Sequence, residues 1–461
     1  MQADSIDPGA VRNGELTRSL ARFVAQTQWR DLPDTVRNEA KRSLVNYFAV
    51  ALAGAHDPTL EKAVSVYSRF RANDGATVVG RSERADMLSA AALNAMSANV
   101  YDFDDTHIPS IIHPTAPVAA ALFALAEQHA QTGEALLLAF ALGVEVECRI
   151  GNAVSPEHYQ CGWHITSTCG VFGAAAAVAK ALALSEREIV WALGNASAQA
   201  GGLVETLGTM SKSISVGNAA RNGLLSALLA LHGFSGPDAP LEGKHGFVQV
   251  ATPNPHWHAL THDLGREWAL LKNTYKPYPC GVVLNPVIDA CLHLRGDARW
   301  SLDDVEMIEI TGHPLLRERT DRPGVRTGRE SQVSAQHAVA VVLSRGKAGL
   351  EEFSDAAVAD PSLRALANRL RFVDQPAWPV ESAQVTIVLR SGDRLSHRVQ
   401  AARGSLDAPL ANGELADKLH RLSAYGRSGI DPQPLVERLW KFESEPDAAA
   451  VVRLTSASSQ N

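Results

Sequence analysis

The feature that most constrains the fold is a succession of apolar, alanine-rich segments with helical spacing along roughly the first 270 residues. Val36, Ala40, Leu44 and Phe48 recur every four residues, which places them on one face of a helix. Similar helical runs are predicted at residues 115–129, 133–150, 165–184 and 217–232. Frequent alanine and glycine allow helices to approach closely. The sequence therefore predicts a buried helical bundle.

The pattern changes near residue 274. Residues 305–311 alternate like a strand, and residues 384–390 and 394–399 flank a glycine-containing turn that is typical of a β-hairpin. Helical patterns lie between these strands at 334–346 and 351–370, and helical patterns return after Gly404 at 413–424 and 433–440. We therefore predict a mainly α protein. Its large all-helical domain comprises residues 1–272 and 404–461, and its inserted smaller α+β lid domain comprises residues 273–403.

Composition limits the classes of function. The 461 residues carry a formal net charge of −7, which does not favour nucleic-acid binding. Five scattered cysteines without C-x-x-C spacing favour reduced thiols. We find no secretory leader and no apolar run of about 18 residues, so we expect a cytoplasmic protein without a membrane partner. There is also no G-x-S-x-G or G-x-G-x-x-G motif, so no nucleotide cofactor is predicted.

A cluster of acidic and imidazole side chains separates two of the predicted helices. It contains Asp102, Asp104, Asp105, Thr106, His107 and His113. Such side chains are costly to bury without partners and serve acid/base chemistry or metal binding. The order of residues is not that of an EF-hand, and no H-E-x-x-H motif is present. A solvated acidic loop, a metal site and an acid/base site all remain open at this point.

Three further motifs carry chemical groups. His164 follows Gly162-Trp163 at a predicted helix start, where backbone N–H groups suit an anion. Lys212 lies in a serine- and glycine-containing segment that is expected to be a loop before a helix. Pro277 and Pro279 hold Lys276 and Tyr278 in a stiff segment where the composition changes, and a domain junction is a favoured place for a ligand cleft. The alternatives are a structural histidine, an exposed loop lysine and a rigid linker.

In this order the motifs resemble those of the MmgE/PrpD family, over about residues 16–445. The matching segments are Asp102-Phe-Asp-Asp-Thr106 with His113-Pro114, Gly162-Trp-His164, Lys212 with Gly217-Asn-Ala-Ala220, and Lys276-Pro-Tyr-Pro-Cys280 with Ile288-Asp289. The family includes 2-methylcitrate dehydratase, cis-aconitate decarboxylase and iminodisuccinate epimerase. The resemblance implies a helical domain with an inserted α+β lid, a homodimer, and chemistry beside a carboxylate without metal or organic cofactor.

The resemblance also implies a set of site residues. The family's site carries over onto Asp102, Thr106, His113, His164, Lys212 and Lys276, and all of these except Thr106 form the predicted catalytic set. Thr106 is predicted to bind substrate, together with three residues chosen from the sequence itself: Tyr278, His337 and Arg317. The chain departs from the family pattern in three places. Asn285 stands where members often have histidine, His337 stands where some have tyrosine, and the spacing from Thr106 to His113 is one residue longer than in decarboxylase-like members.

The reaction expected from this resemblance is proton abstraction next to a carboxylate of a small di- or tricarboxylic acid. We expect His113 or His164 to move the proton, Asp102 to orient the histidine, and Lys212 and Lys276 to hold substrate carboxylates. A dehydratase acting on a 2-methylcitrate-like acid is the first expectation. An epimerase or a decarboxylase on the same site is the second. A non-catalytic protein that binds small acids is the alternative from a different class.

Overall fold

The computed structural model describes residues 15–70, 75–297 and 299–457. The chain forms two compact units. Unit 1 holds the described residues up to Val100, then Asp104–Asn273, and those from Asn412 onward. Unit 2 holds Tyr101–Phe103 and Thr274–Ala411. Helices predominate over short strands, so the prediction of a mainly α protein is confirmed.

Among the described residues the α-helices are, in chain order, α1 (Glu15–Gln26), α2 (Asp34–Gly54), α3 (Pro58–Tyr67), α4 (Met87–Asn99), α5 (Thr115–Ala126), α6 (Gly133–Val154), α7 (Glu157–Gln160), α8 (Ile165–Ala181), α9 (Glu186–Ser197), α10 (Ser211–Leu231), α11 (Phe247–Ala251), α12 (His258–Thr261), α13 (Asn285–Arg295), α14 (Pro314–Thr320), α15 (Gly328–Ser331), α16 (Ala335–Arg345), α17 (Asp355–Ala359), α18 (Pro361–Ala367), α19 (Asn412–Tyr425), α20 (Gln433–Trp440) and α21 (Ala449–Arg453). The strands are β1 (Ala76–Thr77), β2 (Arg84–Ala85), β3 (Asp105–His107), β4 (Asn273–Tyr275), β5 (Val305–Gly312), β6 (Leu370–Asp374), β7 (Ala383–Leu389) and β8 (Arg394–Val399).

The core of unit 1 is a bundle in which α8 packs against both α6 and α10. Every residue of α5 is buried, as expected for a helix that is apolar on all faces. The bundle is tight because its helices meet through small residues. A side chain at Gly223 of α10 would place its Cβ only 2.7 Å from the backbone oxygen of Val171 in α8. This close approach brings the middle of α10 into direct contact with α8.

Local sequence signals set several helix boundaries in unit 1. The spacing Ser185-x-x-Glu188 predicts a capping box, and it is confirmed, because the Ser185 hydroxyl and the Glu188 carboxylate each bond the other residue's backbone at the start of α9. The predicted helix that contains Val36 and Phe48 is also confirmed; it begins directly after Pro33 and runs to Gly54. The expected loop around Lys212 is wrong, since α10 already begins at Ser211.

Unit 2 is built on a four-stranded sheet with the order β6-β5-β7-β8. β5 pairs antiparallel with β7, and β7 with β8, which confirms the predicted hairpin. β5 pairs in parallel with β6, with Ile308 opposite Leu370. Helices α13 and α16 contribute to the apolar core that includes β5 and β7. The predicted helix at 351–370 is only partly right, because it divides into α17 and α18 and gives way to β6.

No helix among the described residues is both long enough and apolar enough to cross a membrane.

Candidate functional site

The acidic segment of unit 1 buries the Asp105 carboxyl group completely. Its Oδ2 atom accepts hydrogen bonds from the Thr115 hydroxyl and from Asn273 Nδ2, the latter at 2.6 Å. Burial raises the pKa of Asp105 to about 7; the two hydrogen bonds oppose this rise, and the charge of Asp104 adds to it. Asp105 is therefore a carboxyl group that can hold a proton near neutral pH.

A second buried carboxyl group, Glu147, lies in α6. Burial and, to a smaller extent, the charge of Asp105 raise its pKa well above the usual range. Among the residues the structure describes, neither carboxylate oxygen of Glu147 has a hydrogen-bond partner. An ionised carboxylate in such a place is costly, so Glu147 is expected to carry its proton.

The His113 ring is anchored through its Nδ1 atom. That atom lies 2.7 Å from the backbone oxygen of Asp105, 3.3 Å from the Thr106 hydroxyl and 3.5 Å from the Asp104 carboxylate. Because a carbonyl oxygen can only accept, Nδ1 carries a hydrogen and Nε2 bears the lone pair of the neutral ring. The nearby Asp104 carboxylate stabilises the ring once it takes a second proton.

His107, by contrast, lies entirely inside unit 1. Its Nδ1 atom is 2.7 Å from the Ser110 hydroxyl. Burial, together with the charge of Lys272, lowers its pKa to about 3. His107 therefore stays uncharged at neutral pH and belongs to the structure of the loop.

His164 lies at the N-cap position of α8, as predicted from its place at a helix start. Short antiparallel backbone pairing fixes this position. His164 N–H donates to the oxygen of Gly202 at 3.0 Å, and Val204 N–H donates to the oxygen of Gly162 at 2.8 Å. The ring is buried, and its Nδ1 atom lies 3.1 Å from the Ser167 hydroxyl and 3.3 Å from the Ser215 hydroxyl.

Lys212 lies in the first turn of α10, at the positive end of the helix dipole. The Ser215 hydroxyl donates to the Lys212 backbone oxygen at 2.8 Å and also contacts His164. The start of α10 is thus in direct contact with the His164 ring. The start of α8 and the start of α10 therefore meet near His164, and the free N–H groups of helix N-termini suit an anionic group.

Thr166 joins the two histidines. Its hydroxyl accepts the backbone N–H of His113 at 3.1 Å, and it lies two residues after His164 in the first turn of α8. Unit 1 therefore brings together both predicted catalytic histidines. Thr106 contacts His113, and the backbone of Lys212 is bonded to Ser215, which contacts His164. We call this set the histidine cluster: Thr106, His113, His164, Thr166, Ser167, Lys212 and Ser215.

Unit 2 contains the other predicted lysine, Lys276, which is 3% exposed. Its Nζ atom lies 2.9 Å from the Asp102 carboxylate and 2.8 Å from the Asp102 backbone oxygen. Gln332 bonds the neighbouring Tyr101 oxygen at 2.7 Å and so helps to hold the segment. The sequence predicted that Asp102 orients a histidine; in unit 2 its carboxylate is ion-paired with Lys276.

The predicted substrate-binding residues of unit 2 are engaged in contacts within that unit. The Tyr278 hydroxyl donates to Asp289 at 2.6 Å, and burial, with the charge of Asp289, raises the tyrosine pKa. His337 is buried in α16, and its Nε2 atom donates to the Glu352 oxygen at 2.8 Å. Arg317 forms an exposed ion pair with Asp374 at 2.7 Å. Their roles in binding stay predictions.

The sequence reasoning did not single out the side chains that hold the histidines. Asp104 and Asp105 belong to neither of the predicted site sets, although the Asp104 carboxylate lies 3.5 Å from Nδ1 of His113 and the Asp105 backbone oxygen accepts its hydrogen bond. Thr166 and Ser167 are likewise outside those sets. The available signal was the run of hydroxyl residues Thr166-Ser-Thr168, which begins two residues after His164 at the helix start.

Comparison with known proteins adds an independent finding. The family model for the MmgE/PrpD N-terminal domain matches residues 18–260, and that for the MmgE/PrpD C-terminal domain matches residues 278–432. A cis-aconitate decarboxylase-like protein of Aspergillus oryzae is 27% identical over 474 residues, covering 96% of this chain and 98% of that protein. The cis-aconitate decarboxylase of Mus musculus is 25% identical over 458 residues, covering 95% and 93%. A cis-aconitate decarboxylase of Aspergillus terreus is 26% identical over 437 residues, covering 88% and 89%.

Proposed function

Because the chain belongs to the MmgE/PrpD family, we propose that it is a lyase that acts on a small di- or tricarboxylic acid by moving a proton at a carbon near a carboxylate. The observation that carries this proposal is the histidine cluster: the backbone of His113 and the ring of His164 both bond hydroxyls in the first turn of α8, and Ser215 bonds both the His164 ring and the backbone of Lys212. Full-length similarity to proteins named as cis-aconitate decarboxylases favours loss of carbon dioxide as the bond-breaking step.

His113 is the better candidate for the group that exchanges a proton with substrate carbon. Its side chain is 13% exposed, and its Nδ1 atom is held by the Asp105 carbonyl, so Nε2 is the nitrogen that takes or gives the proton. The Asp104 carboxylate, 3.5 Å from Nδ1, stabilises the charged ring that results. A positioned imidazole accelerates such a step by about 10²- to 10⁴-fold.

Lys212 is proposed to bind a substrate carboxylate. In a decarboxylation, the electron pair left when carbon dioxide departs spreads onto a neighbouring carboxyl group before carbon is protonated. A lysine at that carboxyl group stabilises the developing charge. Lys276 is also proposed to bind a substrate carboxylate, as the family resemblance implies. Its ion pair with Asp102 sets the orientation of its ammonium group.

The proposed mechanism is independent of metal ions. Every proton transfer is assigned to an imidazole and the stabilisation of negative charge to ammonium groups, so no step calls for a Lewis acid. A carboxylate and an imidazole near each other would also suit a metal, and Asp104 with His113 is such a pair in unit 1. The chelator experiment described below separates these two possibilities.

Dehydration is a second candidate, and the presence of two anchored imidazoles favours it. Elimination of water needs a base at carbon and an acid at the leaving hydroxyl group, whereas decarboxylation needs only one proton delivery. His113 and His164 together provide the required pair. Epimerisation would also use two proton-transfer groups and gives a distinct product.

The deciding experiment supplies cis-aconitate, citrate and 2-methylcitrate separately in deuterated water and follows each by NMR. Decarboxylation gives a product one carbon shorter with deuterium at carbon, and carboxyl-labelled substrate releases labelled carbon dioxide. Dehydration gives new alkene signals without loss of carbon, and epimerisation gives exchange without a change in composition. The His113→Gln variant, which is expected to lose most of its turnover, is the control for reactions that do not depend on the enzyme's site. Binding of these acids without exchange or turnover would instead support a non-catalytic binding protein.

A further inference from the structure

The two serine hydroxyls beside His164 come from different helices. Ser167 belongs to the first turn of α8, and Ser215 belongs to α10. Their oxygens lie 3.1 and 3.3 Å from the same ring atom, Nδ1 of His164. A hydroxyl can donate one hydrogen and accept others, so the direction of each bond determines which nitrogen of the ring carries the hydrogen.

Each hydroxyl also has a backbone carbonyl as a partner. Ser167 Oγ lies 2.8 Å from the His164 oxygen, and Ser215 Oγ lies 2.8 Å from the Lys212 oxygen. A carbonyl oxygen has no hydrogen to give, so each serine uses its single hydrogen on its carbonyl. Both serine oxygens therefore face Nδ1 as acceptors, and Nδ1 must be the donor.

We propose that Ser167 and Ser215 are positioning residues that hold His164 in the tautomer with its hydrogen on Nδ1. In that tautomer Nε2 bears the lone pair of the neutral ring and is the atom that exchanges a proton with substrate. The assignment of Nε2 to catalysis rests on the proposed function; the tautomer itself does not. The same two oxygens can still accept from Nδ1 when the ring becomes an imidazolium, so the ring keeps its orientation.

The position of the Ser167 hydroxyl is constrained by Gly202. A Cβ atom at residue 202 would lie 2.0 Å from Ser167 Oγ, and the backbone there has φ of +128°, which side chains rarely adopt. The Gly202 oxygen also accepts the His164 N–H. The glycine therefore allows the backbone at residue 202 to lie against the first turn of α8 without displacing the Ser167 hydroxyl from the His164 ring.

Ser215 has a second effect, because its carbonyl partner belongs to Lys212. One hydroxyl thus connects the backbone of the anion-binding lysine to the orientation of the proton-transfer ring. Loss of the Ser215 hydroxyl is expected to loosen the ring and to change the turn that carries Lys212. Loss of the Ser167 hydroxyl is expected to affect the ring alone.

The tautomer can be measured without any substrate. The protein is labelled with ¹³C and ¹⁵N in histidine, and the His164 signals are identified by their absence in a His164→Gln variant. At a pH where the ring is neutral, we expect the chemical shifts of a ring with hydrogen on Nδ1. The Ser167→Ala/Ser215→Ala double variant should show a mixture of tautomers. Hydrogen on Nε2 in the unaltered protein would overturn the proposal.

Kinetics on the substrate found in the deuterium experiment tests the catalytic consequence. Each single alanine variant should lower kcat about tenfold, and the double variant about a hundredfold. In Ser167→Ala, which affects the ring alone, KM should change by no more than about twofold, whereas Ser215→Ala should also raise KM because it alters the turn that carries Lys212. Ser215→Thr, which keeps a hydroxyl, should restore most of the loss. The control is Ser197→Ala, which removes a hydroxyl that bonds a carbonyl three residues back, as Ser215 does.

The two proposals can fail separately. If no acid in the panel is turned over but the ring carries its hydrogen on Nδ1, the proposed function fails and the positioning role of the serines stands. If turnover is found and the serine variants raise KM with kcat unchanged, or if Ser215→Thr shows no rescue, the serines do not position the ring for catalysis.

Discussion

The ammonium group of Lys276 and the carboxylate of Asp102 form an ion pair at 2.9 Å, although 174 positions separate them in the sequence. Lys276 is nearly fully buried, so removal of its counter-ion would leave a charge with little access to water. We predict that Asp102→Asn lowers the free energy of unfolding by about 3–5 kcal/mol, measured by urea denaturation. Asparagine tolerates the left-handed backbone at this position, where φ is +51°. The substitution therefore adds no backbone strain, and the loss of stability reports the effect of removing the charge.

The double variant Asp102→Asn/Lys276→Met provides the control for this prediction. It removes both charges, so its loss of stability should be clearly smaller than that of Asp102→Asn alone. A double variant as unstable as the sum of the two single variants would show that the ion pair is not the source of the effect.

His113→Gln is predicted to reduce kcat by about 10²- to 10⁴-fold with little change in the unfolding midpoint. The variant removes the proton-transfer group while keeping a polar side chain in a partly exposed position. His232→Gln, at an exposed position after α10, is the matched control and should retain normal turnover. Normal turnover of His113→Gln would remove His113 from the proposed mechanism.

Stability should fall as pH rises from about 4 to about 7, because of Asp105. Its pKa is raised from 3.8 in the unfolded chain to about 7 in the folded protein, so the folded state holds the proton more tightly. The resulting stabilisation is fully present below the unfolded pKa and is lost as pH rises through the folded pKa. The loss amounts to at most about 4 kcal/mol. Urea midpoints measured across this pH range provide the test.

Asp105→Asn should flatten that pH dependence, because an amide mimics the protonated acid and can still accept from Thr115 and Asn273. Asp238→Asn, at an exposed position, is the control and should leave the slope unchanged. Glu147→Gln is expected to act in the same direction as Asp105→Asn, since burial raises the pKa of Glu147 as well. An unchanged slope in Asp105→Asn would contradict this explanation.

Gly202→Ala is predicted to destabilise the protein by roughly 1–3 kcal/mol and to lower kcat. The new Cβ atom would collide with the Ser167 hydroxyl, and the alanine would have to adopt a positive φ that side chains rarely allow. Gly201→Ala is a closely matched control, because a Cβ at residue 201 meets nothing within 4 Å. If the two variants behave alike in urea denaturation and in turnover, the close contact with Ser167 has no role.

Treatment with EDTA followed by gel filtration is predicted to leave kcat unchanged, because ammonium and imidazole groups perform every proposed step. Addition of Mg²⁺, Mn²⁺ or Zn²⁺ to the treated protein should not raise the rate. Loss of activity that one of these ions restores would replace the proposed mechanism with a metal-dependent one.

Periodicity and capping signals predicted the helical character of the chain because they are local. The segment after Pro33 and the capping box at Ser185 became helix starts, and the β7–β8 hairpin follows from its glycine-containing turn. Strand β6 was not predicted, since its parallel pairing with β5 depends on a partner about 60 residues earlier in the sequence. The start of α10 was placed too late because the serines near Lys212 are typical of turns.

For the candidate site, the sequence identified chemical groups but not their contacts. His113 and His164 were singled out by residue type and by family resemblance, and both lie in the histidine cluster. The groups that hold each ring could not be predicted from the sequence. His113 is held by a backbone oxygen, that of Asp105, and His164 is held in part by Ser215, which lies on another helix. Backbone acceptors and contacts between helices leave no residue-type signature.

The pairing of residues 162–164 with 202–204 has a consequence for protein engineering. The position of His164 is set there by backbone hydrogen bonds, which every amino acid except proline can make. Leu203 is half exposed, so its side chain can be exchanged without altering those bonds. A library at position 203 would therefore change the surface beside Trp163 while the backbone of His164 stays in place. The chain thus offers a position where surface chemistry can vary without a shift of the residue that carries the imidazole.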